Sequence, residues 1–124
     1  MSDLLLKTIL LVEDDEGYAY VVAKTLTAAG YTVTIAPDYR DALKVLESAE
    51  TVNLLLTDIR LPGVHGFALG RMARHRRPDL KILYATAFTD LPQHVIDTAH
   101  GKVLLKPVDP DLLVAEVKAA LGGG

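Results

Sequence analysis

The sequence predicts an α/β domain built on a five-stranded parallel sheet that is doubly wound, with helices on both faces. Five short apolar or β-branched segments alternate with five amphipathic segments, always in the order strand then helix. The apolar segments are continuous rather than alternating, which is typical of parallel strands covered on both sides. Because right-handed crossovers distribute the helices over both faces, this order predicts a (βα)5 arrangement.

The predicted strands are short segments whose residues suit a buried, pleated surface. In chain order they are Ile9–Val12, Thr32–Ile35, Leu54–Leu56, Ile82–Ala85 and Val103–Leu105. Four of them are apolar runs, whereas Thr32–Ile35 is predicted from its β-branched residues.

The predicted helices are recognised from amphipathic spacing and from residue types that favour helix ends. They are Glu16–Ala29, a helix capped by Asp38, Phe67–Arg76, a short helix opened by Asp90 to Gln93 and continuing through Ala99, and a last helix opened by Asp109 and Pro110. Gly30 is expected to end the first helix, because glycine readily adopts the left-handed conformation found there. In that helix the spacing places Val21 and Val22 on the side that faces the core.

The composition indicates a single domain and excludes several kinds of protein. With 124 residues we expect one domain, 1–124, with a core over about 7–121, a flexible tail at 122–124 and no second domain. The absence of cysteine excludes a disulfide, a thiol nucleophile and a cysteine-bound zinc ion. A net charge of −3 and the lack of an apolar run of about 20 residues predict no nucleic-acid surface, no membrane span and a cytoplasmic location.

Polar side chains stand at the carboxyl ends of four predicted strands, the edge of a doubly wound sheet where ligands bind. Glu13 and Asp14 follow the first strand, Asp58 the third, Thr86 the fourth and Lys106 the fifth. Converging carboxylates repel one another unless a cation lies between them, and an all-oxygen site suits Mg²⁺. A hydroxyl and an ammonium beside that ion would hold an anionic group, as phosphoryl transfer requires.

Each residue of this edge also has a purely structural interpretation. Asp14 or its neighbour Asp15 could cap the next helix, and Asp58 could serve a turn. Thr86 and Lys106 could be ordinary polar groups at strand ends. The functional interpretation is favoured because all of these residues coincide at one edge.

Five short motifs occur in a fixed order along the chain. They are Ile9–Glu16, Leu54–Gly63, His65–Phe67, Tyr84–Ala87 and Leu105–Pro107. In this order they resemble the receiver domain of bacterial two-component response regulators, over nearly the whole chain. The resemblance implies a flavodoxin-like, CheY-like fold with strand order 2-1-3-4-5. It also implies a signalling module that is itself phosphorylated, and not an enzyme that turns over a separate substrate.

The resemblance assigns the acidic residues to an acceptor and a metal site. Asp58 would be the phosphoacceptor, which takes a phosphoryl group from the phosphohistidine of a histidine kinase or a histidine phosphotransfer protein. Asp14 and Asp58 would bind Mg²⁺ together with the backbone carbonyl of Arg60. Glu13 would act nearby, often through water.

Thr86 and Lys106 would each bond a phosphoryl oxygen, and the Lys106–Pro107 peptide bond would be cis. The chain departs from the family pattern at Val103, where many members carry an aromatic residue whose inward movement accompanies that of the threonine. This coupling cannot operate with valine. The span from Thr86 to Lys106 is also a couple of residues shorter than is common, which would trim the fourth helix or its loop.

Arg60 and Phe88 occupy variable positions of the family, two residues after Asp58 and Thr86, and both side chains are large. One hypothesis is that they crowd the line along which water attacks the aspartyl phosphate and so lengthen its lifetime. The alternative, which we weight equally, is that both side chains point to solvent.

The first helix is expected to dock the helical histidine domain of the phosphodonor. Its outward positions would include Ala19, Tyr20 and Ala23, which are less polar than an exposed helix face usually is, and Tyr18 would join them in the contact. The alternative is an ordinary exposed tyrosine among alanines. A downstream protein partner is implied but not identified, and a homodimer is possible.

Two other functions fit the sequence less well. A small Mg²⁺-dependent phosphatase of the haloacid-dehalogenase type would carry its nucleophile in an Asp-x-Asp pattern after the first strand, where Glu13, Asp14 and Asp15 stand. A receiver that is never phosphorylated would lack some of the functional residues, all of which are present. The basic run Arg71–Arg77 ends a predicted helix and is expected to be a solvated face without nucleic-acid contact.

Overall fold

The computed structural model describes residues 6–122, so Gly123 and Gly124 of the predicted flexible tail lie outside the described residues. The strands are Thr8–Val12 (β1), Thr32–Ala36 (β2), Leu54–Asp58 (β3), Arg60–Leu61 (β4), Val64–His65 (β5), Lys81–Thr86 (β6) and Lys102–Leu105 (β7). The helices are Glu16–Ala28 (α1), Tyr39–Glu47 (α2), Gly66–Arg76 (α3), Gln93–Ile96 (α4) and Pro110–Ala120 (α5). Each predicted strand is present, with its ends within two residues of the expected positions.

Five of the strands form one parallel sheet in the order β2-β1-β3-β6-β7. The expected order 2-1-3-4-5 is confirmed, because β4 and β5 form a separate antiparallel hairpin of two residues each. The backbone hydrogen bonds of the sheet continue one residue past the strand ends. Glu13 N–H donates to Ala36 O at 3.2 Å, Ile59 N–H to Ala85 O at 2.9 Å, and Lys106 N–H to Thr86 O at 2.7 Å.

The sheet divides the apolar core into two layers, which explains why its strands are apolar without alternation. Strand residues such as Leu10, Leu55 and Tyr84 pack with α2 and α3 on one face. Ile9, Leu54 and other strand residues pack with α1 and α5 on the opposite face. Helices therefore cover both faces, as predicted.

Most of the predicted helix ends are confirmed. Gly30 follows α1 with a φ of 103°, and the carboxylates of Asp38 and Asp109 cap α2 and α5 by accepting backbone N–H groups. The short fourth helix is a single turn that ends at Ile96 and not near Ala99, and its N-cap residue is Pro92, which offers no side-chain acceptor. The chain must return to β7 through Gly101, where a Cβ would lie 1.7 Å from the carbonyl oxygen of Ile82. A turn therefore replaces the last helical residues that the sequence predicts.

The basic run at the end of α3 is not only a solvated face, because two of its arginines contact α2. The Arg77 guanidinium donates to three backbone carbonyls at the end of α2, those of Val45, Leu46 and Ser48, at 3.0–3.2 Å. Arg76 pairs with Glu47 at 2.9 Å. These contacts satisfy carbonyls that a helix C-terminus leaves unpaired. Within residues 6–122, no helix has the length and apolar character needed to cross a membrane.

Candidate functional site

Three carboxylates meet at the carboxyl edge of the sheet. Glu13 and Asp14 follow β1, and Asp58 is the last residue of the neighbouring strand β3. One oxygen from each residue lies within 4.8 Å of the others, so the three side chains can hold one cation. Glu13 is buried, Asp58 is half-buried and Asp14 is exposed, which leaves one side of the cluster accessible to solvent.

Asp15 takes the capping role that the sequence leaves open between two aspartates. Its Oδ1 accepts the backbone N–H of Tyr18 at 3.0 Å at the start of α1. Asp14 is therefore not needed as a cap, and its carboxylate is available to a ligand. Glu13 Oε2 in turn accepts the Asp15 N–H at 3.1 Å, which fixes the buried carboxylate against the same turn.

Lys106, which follows β7, adds a positive charge to this cluster from the side of β3 that faces away from β1. Its Nζ donates to Glu13 Oε1 at 2.6 Å and to Asp58 Oδ2 at 2.9 Å. Burial raises the pKa of Glu13 above its ordinary value, although the hydrogen bonds from Lys106 and Asp15 oppose this effect. Burial lowers the pKa of Lys106, but its bonds to Glu13 and Asp58 outweigh burial and leave that pKa raised. The ammonium thus stays charged beside the two carboxylates.

The backbone around Asp58 holds its carboxylate in place. Its Oδ1 accepts the Arg60 N–H at 3.1 Å. The start of α3 lies against the same residue, since a Cβ on Gly66 would lie 2.5 Å from the carbonyl oxygen of Asp58. His65, to which the sequence assigns no role, caps α3: its Nδ1 accepts the Phe67 N–H at 3.1 Å.

Thr86 ends β6 between Asp58 on β3 and Lys106 after β7. Asp58 lies opposite Ala85 in the ladder, so Thr86 stands one residue further toward the carboxyl edge. The Thr86 side chain is buried, and its Oγ1 accepts the N–H of Phe88 at 3.1 Å. The Lys106–Pro107 peptide bond is cis, as the resemblance implies.

Arg60 and Phe88 stack on each other across the mouth of the site. The guanidinium carbon of Arg60 lies 3.7 Å from the centroid of the Phe88 ring. Both residues are exposed and line an open cleft of about 510 Å³ that also includes Thr86. The pair is exposed, as the solvent alternative expects, and lies beside Thr86 at the edge of the site, as the crowding hypothesis requires, so both alternatives stay open to measurement.

An aromatic residue lies beside Val103, on the neighbouring strand. Tyr84 of β6 is paired with Val103 of β7 and is fully buried. Its ring packs edge-on against Phe67 with centroids 4.8 Å apart, and its hydroxyl projects into the space left by the missing side chain of Gly70. The sequence analysis missed this pairing, because register between strands cannot be read from a single segment.

The expected docking face on α1 needs correction. Ala19 is 3% exposed and belongs to the core, and Tyr18 and Ala23 are partly buried, so of the four predicted residues Tyr20, at 64%, is the exposed one. Val21, which we expected to face the core, is 54% exposed. The helix starts at Glu16 and buries Ala19, Val22 and Leu26, three to four residues apart. Because these three residues define the buried face of α1, Tyr20 and Val21 both lie on its exposed face.

A doubly wound sheet that carries three carboxylates and a lysine at its carboxyl edge defines the class of CheY-like receiver folds. The model of the response regulator receiver domain family matches residues 9–118. The chain belongs to this family and is a phosphoacceptor domain of two-component signalling. Receiver domains bind Mg²⁺ at an acidic pocket and interact with histidine kinases or phosphotransfer proteins.

Individual relatives agree with this assignment. The response regulator receiver protein CpdR of Brucella abortus is 38% identical over 118 residues, which cover 94% of this chain and 98% of that protein. Other curated relatives are longer, and the chain spans 24% to 26% of their length. A receiver domain structure from Methanospirillum hungatei is 32% identical with a TM-score of 0.86, over 95% of each chain. The Thermotoga maritima response regulator TrrA, solved in complex with Mg²⁺-BeF, is 26% identical with a TM-score of 0.83 over 93% of this chain and 99% of that chain.

Proposed function

We propose that Asp58 is the residue that becomes phosphorylated, with a histidine kinase or a histidine phosphotransfer protein as donor. The observation that carries this proposal is the position of Asp58 inside the cluster, within 4.8 Å of Glu13 and Asp14 oxygens and 2.9 Å from Lys106 Nζ. A half-buried carboxylate with an open side can reach a donor, and its neighbours supply the charges that a transferred phosphoryl group requires.

The donor set fits a magnesium ion. Three carboxylates offer only oxygen ligands, and one open side leaves room for the water molecules that Mg²⁺ retains. Asp14 and Asp58 would hold the ion, with the carbonyl of Arg60, and Glu13 would act beside them. When bound, the ion neutralises negative charge on the acceptor and on the phosphoryl oxygens.

The chain's own groups account for the rest of the transfer. A carboxylate oxygen of Asp58 forms a bond to phosphorus while the bond from phosphorus to the histidine nitrogen breaks, and its electron pair remains on the imidazole. Lys106 donates to one phosphoryl oxygen, and Thr86 donates to another after moving toward it. The Thr86 hydroxyl can do this while Oγ1 still accepts the Phe88 N–H, because a hydroxyl both donates and accepts.

Intact-mass measurement after incubation with Mg²⁺ and acetyl phosphate tests the acceptor. We expect one phosphoryl adduct on the wild-type chain and none on Asp58→Asn. An adduct that persists in this variant would contradict the assignment. Continuous release of phosphate from many phosphate esters would instead indicate the phosphatase. Failure to form an adduct, together with failure to bind beryllofluoride, would indicate a receiver that is not phosphorylated.

For the donor, we propose a docking surface on α1 that is centred on Tyr20 and Val21. Both side chains are more than half exposed, and Tyr20 borders a shallow groove lined by Ala23, Lys24, Thr27 and Ala28. A largely apolar helix face with one cation over its tyrosine suits the helical histidine domain of a donor protein.

Tyr20→Glu and Val21→Glu test this surface. We expect both variants to slow phosphotransfer from the cognate donor protein while phosphorylation by acetyl phosphate stays at the wild-type rate, because the small donor does not need the helix face. Ala49→Glu, an exposed position after α2, is the matched control. Equal transfer rates for all three variants and the wild type would refute docking at α1. We further propose that the phosphorylated domain acts on a downstream protein in the cytoplasm and turns over no separate substrate. A homodimer is one form that this output could take.

A further inference from the structure

The ammonium of Lys106 has a third neighbour besides its two carboxylates. Its Nζ lies 4.5 Å from the centroid of the Tyr18 ring, on α1. At this distance the negative face of an aromatic ring attracts a cation. The Lys106 side chain is 15% exposed, so this attraction acts in a largely desolvated site.

Tyr18 is itself held in place from two sides. Its backbone N–H is bound by the capping carboxylate of Asp15 at 3.0 Å, and its hydroxyl accepts the N–H of Val108 at 3.4 Å. Its ring is partly buried against the core layer beneath α1 and α5. The ring therefore joins the first turn of α1 to the segment that follows Lys106.

An aromatic face has a property here that a hydrogen-bond acceptor would lack. A lysine ammonium has three N–H donors, and Glu13 and Asp58 accept two of them. The Tyr18 ring stabilises the charge without accepting the third in a hydrogen bond. One donor therefore remains for a phosphoryl oxygen, while the flexible stem of Lys106 is restrained on its open side.

We infer that Tyr18 is a positioning residue for phosphoryl transfer to Asp58, which acts by holding the Lys106 ammonium through its ring face. The inference rests on the proposed roles of Asp58 and Lys106. In the reaction with acetyl phosphate, an Asp58 oxygen bonds to phosphorus, the bond from phosphorus to the acetyl oxygen breaks, and acetate leaves with the electron pair. Lys106 donates to the phosphoryl group throughout, and Tyr18 touches none of the reacting atoms.

The first measurement needs no phosphorylation. In NMR spectra of the wild-type chain, the protons next to Lys106 Nζ should be shifted upfield by the Tyr18 ring current. The shift should persist in Tyr18→Phe, which keeps the ring, and vanish in Tyr18→Leu. An unshifted lysine in the wild type would overturn the inference whether or not Asp58 is the acceptor.

The second measurement is the rate constant of phosphorylation by acetyl phosphate at saturating Mg²⁺. We expect the rate constant of Tyr18→Phe to lie within about twofold of the wild-type value. The rate constant of Tyr18→Leu should be lower by about three- to tenfold, which corresponds to the free energy of a partly desolvated cation–π contact. If Tyr18→Leu does not fold, pentafluorophenylalanine at position 18 keeps the ring shape but reverses its charge distribution, and the same slowing is expected. Equal rates for Tyr18→Phe and for the variant without a negative ring face would overturn the inference.

Tyr31→Leu is the matched control, because Tyr31 is a partly buried tyrosine of the same core layer at the amino-terminal end of β2. It should leave both the Lys106 shift and the phosphorylation rate unchanged. If the wild type forms no adduct at all, the proposed function fails, whereas the NMR comparison still decides whether Tyr18 holds Lys106.

Discussion

At the scale of single residues, Lys106 is the charge on which the unliganded site depends. Glu13 is 3% exposed in its side chain and Asp58 11%, so neither carboxylate is well solvated, and Lys106 contacts both. Removing one partner of a buried ion pair leaves an uncompensated charge, which costs more than the pair contributes.

We therefore expect Lys106→Met to lower the free energy of unfolding by about 3–5 kcal/mol without Mg²⁺. Because the carboxylates then lack their cation, Mg²⁺ should restore more stability in this variant than it adds to the wild type. Urea unfolding with and without Mg²⁺ measures both effects. Lys102→Met removes the exposed ion pair with Glu116 and should cost no more than about 1 kcal/mol. Equal losses for the two variants would contradict the role given to Lys106.

The stacked pair Arg60 and Phe88 leads to a second prediction at this scale. If the pair shields the aspartyl phosphate from water, Arg60→Ala and Phe88→Ala should each speed its hydrolysis by about two- to fivefold, as expected for loss of an exposed cation–π contact. The double variant should be no faster than the single ones, because the two side chains act as a unit. Decay of the phosphorylated protein, followed by intact mass, tests this. Unchanged decay would show that the stack has no part in hydrolysis.

At the scale of elements, the contact between α3 and β6 depends on a glycine. A Cβ on Gly70 would lie 2.1 Å from the hydroxyl oxygen of Tyr84. In an ordinary helix interior Gly→Ala stabilises by up to about 1 kcal/mol, but here we expect Gly70→Ala to destabilise. In the Tyr84→Phe background, which lacks the hydroxyl, the same substitution should cost clearly less. Urea unfolding of the four proteins tests this, and a cost of equal size in both backgrounds would contradict the proposed clash.

The burial of Tyr84 leads us to expect that the free energy of unfolding depends on pH. The Tyr84 hydroxyl is buried, and burial raises its pKa above the ordinary value, although the His100 backbone and the charge of Arg74 oppose this effect. Above a pH of about 10 the unfolded chain loses this proton more readily than the folded one, so stability falls as the pH rises. Urea midpoints between pH 9 and 11 should fall more steeply for the wild type than for Tyr84→Phe. Parallel curves would show that Tyr84 does not contribute.

Strands and sheet order could be predicted because each strand is a continuous apolar run and the connections are short. The side-chain phase of α1 could not be predicted, because apolar residues occur around most of the helix and the sequence does not indicate which of Ala19 and Val21 is buried.

The remaining differences depend on contacts between elements. The predicted fourth helix is too long, since its end depends on where Gly101 meets β6. Residues at strand ends were located correctly, but which of Asp14 and Asp15 caps α1 depends on a hydrogen bond. The pairing of Tyr84 with Val103 depends on register between strands.

At the scale of the whole molecule, the acidic cluster links metal binding to stability. Three carboxylates within 4.8 Å repel one another, and a bound cation relieves that repulsion in the folded state only. We expect Mg²⁺ at ten times its dissociation constant to stabilise the fold by about 1.4 kcal/mol and to raise the thermal midpoint. Asp14→Asn should remove most of this rise, whereas Asp15→Asn should retain it, because asparagine can still cap α1. A rise that Asp15→Asn loses and Asp14→Asn keeps would contradict the division of roles.

The ladder bonds of Glu13, Ile59 and Lys106, which pass the last residue of each strand, have a consequence for the timing of motion. Their amide protons are held by acceptors in neighbouring strands, so they exchange with deuterated solvent only when these strand-end bonds break. We therefore expect the backbone beside the carboxylates and the ammonium to exchange more slowly than that of α4. The single turn of α4, which has no buried residue of its own, opens on a much shorter timescale. The polar groups of the site thus lie on hydrogen-bonded backbone, whereas α4, the segment that we expect to open more readily, follows Thr86 through a short loop.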